Sequence, residues 1–203
     1  MSAADRDLGA LGAALAQHRP ARLMAFVGPR AARAAVAVIA RARPGEERGA
    51  TELLFIERGR RDGDPWSGNM AFPGGRADPG DADAVATAAR EAAEEVGVAL
   101  DRGAVLGRLS PIVAMTHDKR RPMVVEPVVF ALAAGDAPLA LAPGEVAAAV
   151  WIPLGALRGR AHRARHRHRV LGVPWPFPAW RVDGRTIWGL THRMVTELLR
   201  ATR

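Results

Sequence analysis

Gly74 to Val98 reads GGRADPGDADAVATAAREAAEEVGV, a glycine turn followed by an alanine-rich helix that crowds three carboxylates onto one face. At about 3.6 residues per turn, Glu91, Glu94 and Glu95 fall within roughly a third of the circumference, while Val85, Ala89, Ala92 and Val96 form a separate stripe. The apolar stripe is expected to pack and the acidic face to look into a cavity. Like charges three and four residues apart cost roughly a few tenths of a kcal/mol per pair, and a divalent cation would compensate them. The plainer alternative is a solvated face, with Arg90 and Arg76 as surface ion partners worth little. The flanking residues favour a site. Pro79-Gly80 is a turn, Asp81 or Asp83 suits the N-cap, and Gly97 suits the left-handed stop, which together predict a helix over 82–97.

The segment resembles the Nudix box, G-x5-E-x7-R-E-U-x-E-E-x-G-U with U aliphatic. Arg90-Glu91-Ala92-Ala93-Glu94-Glu95-Val96-Gly97-Val98 matches its second half, with Ala92 as a small stand-in for the aliphatic residue. Asp81 stands where the family has its first Glu, and eight residues instead of seven separate it from Arg90. That departure resembles the coenzyme A diphosphatase branch. The branch also carries a block before the box, which Leu54-Phe55-Ile56-Glu57-Arg58 and Gly68-Asn69-Met70-Ala71-Phe72-Pro73-Gly74-Gly75 resemble at its two ends, with one extra residue between Arg58 and Gly68. Ile187-Trp188-Gly189-Leu190-Thr191 is similar to the start of that branch's final helix.

The resemblance implies an α/β fold, a mixed β-sheet between helices in an α/β/α sandwich, and a hydrolase that splits a diphosphate with Mg²⁺ or Mn²⁺. It implies Glu91 and Glu95 as metal ligands, Glu94 sharing a second ion or acting through water, and Gly75 offering its carbonyl. Arg90 would orient Glu91, and Asp81 would be structural. Arg58, Gly74 and Arg76 would bind substrate, which is expected to be coenzyme A or an acyl derivative. The family's general base varies in position. Glu145, in the loop Pro143-Gly144-Glu145-Val146, is the first candidate, with a solvated turn acid as its alternative. Glu126 competes, because it sits among Val124, Val128 and Phe130 on an apolar strand face, where a lone acid is either paired or functional.

Composition limits the alternatives. With 203 residues, 49% of them hydrophobic, the chain can bury one good core, so 1–203 reads as a single domain with residues 1–30 as a helical extension. The absence of cysteine excludes disulfides, thiolate-bound zinc and a thiol nucleophile. No apolar run is long enough for a membrane span, and the acid-bearing N-terminus does not resemble a signal peptide, so a cytoplasmic protein is expected. A formal charge of +8 would draw anionic ligands. Much of it lies in residues 158–169, RGRAHRARHRHR, which hold six arginines, three histidines and no acid. We read this strip as a solvated loop in preference to a phosphate-binding one, because no aromatics interleave it. His162, His166 and His168 lack companion ligands and receive no metal role.

Leu8, Leu11 and Leu15 predict a packing helix at the N-terminus. Ala35–Arg41 and Thr51–Glu57 read as a hairpin about Pro44-Gly45-Glu46-Glu47. Strands are expected over Val105–Ala114, Met123–Leu132 and Ala147–Ile152, with a polar loop from Thr116 to Arg121 and a final helix from Trp188 to Arg200.

Three rivals are weighed. Pro174-Trp175-Pro176-Phe177-Pro178 resembles a block of the Nudix hydrolases for NADH, but it lies far from the box, and that branch's zinc-binding cysteines are missing, so it reads as a proline-rich edge segment. A Nudix hydrolase for ADP-ribose or oxidised nucleoside triphosphates is a second, whereas the diadenosine polyphosphate branch needs a tyrosine that this chain lacks. From another class, the basic strip would suit an RNA-binding or 5′-end-processing protein on the same scaffold. The partner expected is a small nucleotide, with neither membrane nor nucleic acid, and a homodimer is left open.

Overall fold

The computed structural model describes residues 3–21, 31–43, 51–60, 66–115, 122–133, 139–170 and 172–202. The turn at Pro44 and the loop from Thr116 to Arg121 lie outside them. Among the described residues, no helix is long and apolar enough to cross a membrane.

Two long strands, β1 (Ala32–Ala42) and β7 (Pro122–Leu132), lie parallel at the centre of the main sheet. Successive residues of β1 point to opposite faces and both faces are covered, so the strand reads as a continuous apolar run. Val38 and Ala40 join one core while Ala37 and Ile39 join the other. The second core is closed by helix α2 (Ala84–Val96) through Val85, Ala88, Ala92 and Val96. The stripe therefore runs through Ala88, three residues after Val85 and four before Ala92, where the sequence suggested Ala89. The opposite face carries α1 (Ala3–Gln17), with Leu11 and Leu15 buried as their spacing predicts, and the C-terminal helix α4 (Gly189–Ala201). The result is the expected sandwich.

Strand β2 (Thr51–Arg58) pairs antiparallel with β1 only through Ala40↔Leu53, Arg41↔Glu52 and Ala42↔Thr51. Beyond those pairs the two strands part, and residues 69–77 fill the gap. There β3 (Met70–Ala71) pairs with β2, β4 (Gly74–Arg76) pairs with β1, and Ala37 donates its amide to the Pro73 carbonyl at 2.8 Å. This wedge places the two glycines beside the helix that follows.

The expected strand over Val105–Ala114 is two: β5 (Val105–Arg108) and β6 (Ile112–Met115), both antiparallel to β7. Pro111 has no amide hydrogen for a ladder, and the amide and hydroxyl of Ser110 turn aside to donate to Glu197 Oε1 at 2.8 and 2.6 Å. Strand β8 (Val146–Pro153) lies along β2, and α3 (Leu154–Arg158) follows it.

A separate three-stranded sheet precedes α4: β9 (Arg163–Val170), β10 (Val173–Val182) and β11 (Arg185–Trp188), ordered β11-β10-β9. The basic strip is thus mostly strand and not loop. Arg163, Arg165, Arg167 and Arg169 occupy its exposed face, and Ala164, His166 and His168 the other, the alternation that a half-buried strand requires. Pairing of β10 with β11 begins only at Ala179, so residues 173–178 form an edge, as expected. The register with β9 runs unbroken through Pro174, Pro176 and Pro178. Since proline cannot donate to a ladder, their nitrogens face away from β9.

Candidate active site

Asp83 is the N-cap of α2, accepting from the amides of Val85 and Ala86 at 3.0 Å each. Gly97, at φ 72°, closes the helix with the left-handed residue expected there. Between these caps the acidic face meets the glycine wedge. The Gly74 amide donates to Glu95 Oε2 at 2.9 Å, joining the wedge to a helix 21 residues on. A Cβ on Gly74 would lie 2.6 Å from the Val36 backbone, and one on Gly75 2.6 Å from Glu91 Cδ and 2.7 Å from Glu91 Oε2. Only glycine lets the backbone come this close to both strand and carboxylate.

Arg90 organises the rest. Its guanidinium donates to Asp81 through Nε and Nη2 at 3.2 and 3.0 Å, to Glu91 Oε1 and Glu94 Oε2 at 2.9 Å each, and to the Arg76 carbonyl at 2.9 Å. Its hydrogen bonds hold the Asp81 carboxyl down at about 2, assisted by the Asp78 amide. Asp81 is therefore the anchor of Arg90. Glu94 is turned outward, with its side chain 57% exposed.

Burial raises Glu91 above the usual carboxylate range, against the pull of Arg90. Burial also pushes Glu95 up to about 7, the Gly74 amide and the Arg58 charge opposing this while Glu91 and Glu145 add to it. Arg58 and Glu145 thus stand close enough to act electrostatically on Glu95. Glu145 is exposed, in the turn before β8. Glu126 is paired with Arg33 at 3.0 Å, the paired alternative that its place on an apolar strand face left open. Among the described residues, no three acidic or histidine side chains converge as a ready cation cage, since Arg90 lies between Glu91 and Glu94.

Arg58, Gly74, Gly75 and Arg76 line a cavity of about 410 Å³ together with Trp66 and Trp188. The site residues Glu91, Glu95, Gly74, Gly75, Arg76, Arg58 and Arg90 are thereby brought together, with Glu145 near them and Glu94 at their margin. The two tryptophans were not anticipated. Their signal lay in the period-two pattern of residues 163–170, which makes His166 and His168 neighbours on one face of β9, both packed at a tilt against Trp188 with ring centroids 4.2 and 4.8 Å away.

Residues 31–171 match the family model described as NUDIX domain. Among curated proteins, the chain is 34% identical over 157 residues to human "Mitochondrial coenzyme A diphosphatase NUDT8", covering 74% of this chain and 62% of that one. It thus spans less than two thirds of that relative. It is also 34% identical over 172 residues to "Uncharacterized Nudix hydrolase NudL" of Citrobacter koseri, covering 80% and 78%. Among solved structures, a MutT/nudix family protein from Enterococcus faecalis superposes with a TM-score of 0.54 at 15% identity over 92% of this chain and 63% of that one. A NUDIX hydrolase from Alicyclobacillus acidocaldarius does so at 0.51 and 21%, over 66% and 82%. These two show a shared fold. With a family model matching residues 31–171 and a glycine wedge packed against the carboxylates of α2, the chain belongs to the NUDIX family of hydrolases.

Proposed function

We propose that this chain hydrolyses the diphosphate of a nucleoside diphosphate derivative, coenzyme A or acyl-CoA being cut to 4′-phosphopantetheine, or its acyl form, and 3′,5′-ADP. The observation that carries the reading is the buried Glu95 carboxylate, held by the Gly74 amide next to Glu91 and raised to about 7. Such a group favours a cation. The coenzyme A assignment rests on the Gly68–Gly75 block and on the name of the human relative.

The residues fit a hard divalent cation. Carboxylates and a backbone carbonyl are the oxygen donors that Mg²⁺ and Mn²⁺ take, and Gly75 has no Cβ to fill the space at Glu91. Glu91, Glu95 and the Gly75 carbonyl would hold the ion, with Glu94 sharing a second. Bound there, the cation supplies charge neutralisation for the diphosphate and a lowered pKa for the attacking water.

The protein's own groups do the positioning. Arg90 holds the Glu91 carboxylate through Nη1 while Asp81 fixes the guanidinium, a support that orients a ligand without touching substrate. Arg58 and Arg76, both on the cavity wall, bind phosphate oxygens. The Glu145 carboxylate takes the proton of the water that attacks phosphorus, forming its own O–H as the P–O bond to the leaving phosphate breaks.

The test is a panel of coenzyme A, acetyl-CoA, NADH, ADP-ribose and oxidised nucleoside triphosphates, assayed with Mg²⁺ and with Mn²⁺ and followed by product identification. 3′,5′-ADP released faster from coenzyme A compounds than product from any other substrate is the expected result. If coenzyme A were the poorest substrate, the branch would be wrong; if none were cut, the diphosphatase reading would fall.

A further inference from the structure

The inner face of the β9–β10–β11 sheet is a wall of rings. His166 and His168 of β9 and Phe177 of β10 cluster on Trp188, with the Phe177 and Trp188 centroids 5.8 Å apart. Trp66 closes the wall from the turn before β3. Its centroid is 6.0 Å from His168, with planes 15° from parallel, and 6.0 Å from Trp188. Trp188 is pinned by its indole N–H, which donates to Asn69 Oδ1 at 3.0 Å. Trp66 is 44% exposed and Trp188 7%, yet both line the cavity that also holds Arg58, Gly74, Gly75 and Arg76.

A ring cluster that served only as core would be closed on all sides. This one keeps a half-exposed indole on a cavity whose wall also carries Arg58, Arg76 and Gly75, the glycine that abuts Glu91 of the carboxylate helix. Trp66 and His168 lie 15° from parallel, with Trp188 tilted 36° and 39° from them, and the half-exposed Trp66 offers an aromatic surface to the cavity, which suits a flat π-system better than a flexible chain. A nucleoside diphosphate has that shape: a planar base joined through a ribose to charged phosphates. The cavity, at about 410 Å³, is of the size small-ligand sites have.

We propose that Trp66 and Trp188, backed by His168 and His166, form the nucleobase subsite of the candidate active site, with the base stacking on the indole of Trp66. The inference rests on the nucleotide-hydrolase reading and adds to it the residues that select for a base. Specificity then divides along the cavity: rings hold the base, Arg58 and Arg76 the phosphates, and the far side of the diphosphate lies outside this subsite.

The test uses the full chain and two probes, ADP and ribose 5-phosphate, titrated calorimetrically without turnover against wild type, Trp66→Ala, Trp66→Phe and His168→Ala. Loss of stacking on one aromatic ring is expected to weaken ADP binding roughly 5- to 150-fold in Trp66→Ala. Trp66→Phe should recover most of the loss, His168→Ala should give a smaller one, and ribose 5-phosphate should bind all four proteins alike. Circular dichroism establishes that the variants are folded. Equal ADP affinity in wild type and Trp66→Ala, an equal loss for both probes, or no ADP binding at millimolar concentration would each overturn the subsite. Failure of the hydrolase reading is separate: no diphosphate would be cut, whatever ADP binding shows.

Discussion

Glu95 accepts the Gly74 amide at 2.9 Å while its own pKa stands at about 7, so a single hydrogen bond anchors a carboxylate that its surroundings disfavour as an anion. Removing the charge should separate chemistry from stability. In Glu95→Gln the amide oxygen can still accept from Gly74, but the negative charge facing Glu91 and Glu145 is gone. Turnover should fall at least about 100-fold, as for loss of a principal charge at the reacting centre, and the metal-free protein should melt higher than wild type at pH 8. Activity retained within a few-fold at saturating Mg²⁺ would remove Glu95 from the site.

The same residue sets a pH dependence. Its folded pKa, about 7, lies above the ordinary 4.5, so between these values the native chain holds a proton that the unfolded chain has released. The stability it contributes is full below the ordinary value and is lost as pH rises through 7, on the order of 3 kcal/mol for the metal-free protein. Denaturant titrations from pH 5 to pH 8 should show this decline in wild type and a flatter profile in Glu95→Gln. Identical slopes would refute the assignment.

Gly75→Ala tests the close approach at Glu91. The new methyl would lie 2.6 Å from Glu91 Cδ, and the carboxylate, as the free end of a side chain, can move away. The expected outcome is a folded protein whose half-saturating Mg²⁺ or Mn²⁺ concentration rises by tenfold or more, roughly the range for disturbed support of a metal ligand. Unchanged metal dependence would mean that Glu91 does not act from this position.

Asp81→Asn addresses the anchor of Arg90. Without the carboxylate, the guanidinium keeps Glu91, Glu94 and the Arg76 carbonyl but loses its two-pronged hold. Activity should drop about 10- to 100-fold, with a weaker response to metal, the cost typical of removing an outer partner. Wild-type kinetics would make Asp81 a loop residue only.

The arginines of β9 face away from His166 and His168, and therefore away from the ring wall at the cavity. Replacing Arg163, Arg165, Arg167 and Arg169 with Gln should leave kcat unchanged, and plots of kcat/KM against ionic strength should run parallel to wild type. Charges beyond a Debye length of roughly 8 Å in physiological salt do little. Diverging salt curves would show that the strip steers substrate, and a collapse of kcat would place it at the diphosphate.

The box helix was legible because its signals are local: caps, turn and carboxylate spacing lie within 25 residues of chain, and the helix over 84–96 sits inside the expected 82–97. The N-cap that the sequence left open between Asp81 and Asp83 falls to Asp83, and the structural role expected of Asp81 is to hold Arg90, a contact that the sequence did not indicate. The ring wall was not legible as a site. Trp188 meets Asn69 across 119 residues, and no spacing rule reaches that far. The β9 strand was legible and misjudged, since arginine at every second position weighed as a charge run when its period of two marked a strand.

At the tip of the β9–β10 hairpin, Val170, Val173 and Trp175 are 45%, 59% and 60% exposed, a combination that would ordinarily invite another chain to add a strand. The prolines at 174, 176 and 178 turn their nitrogens to that open edge, so an arriving strand finds acceptors without their matching donors. Self-association at the edge of residues 173–178 would have to run through side chains, because the backbone there cannot complete a ladder, whereas the outer edge of β9, the last strand of its sheet, is left to the charge of its arginines.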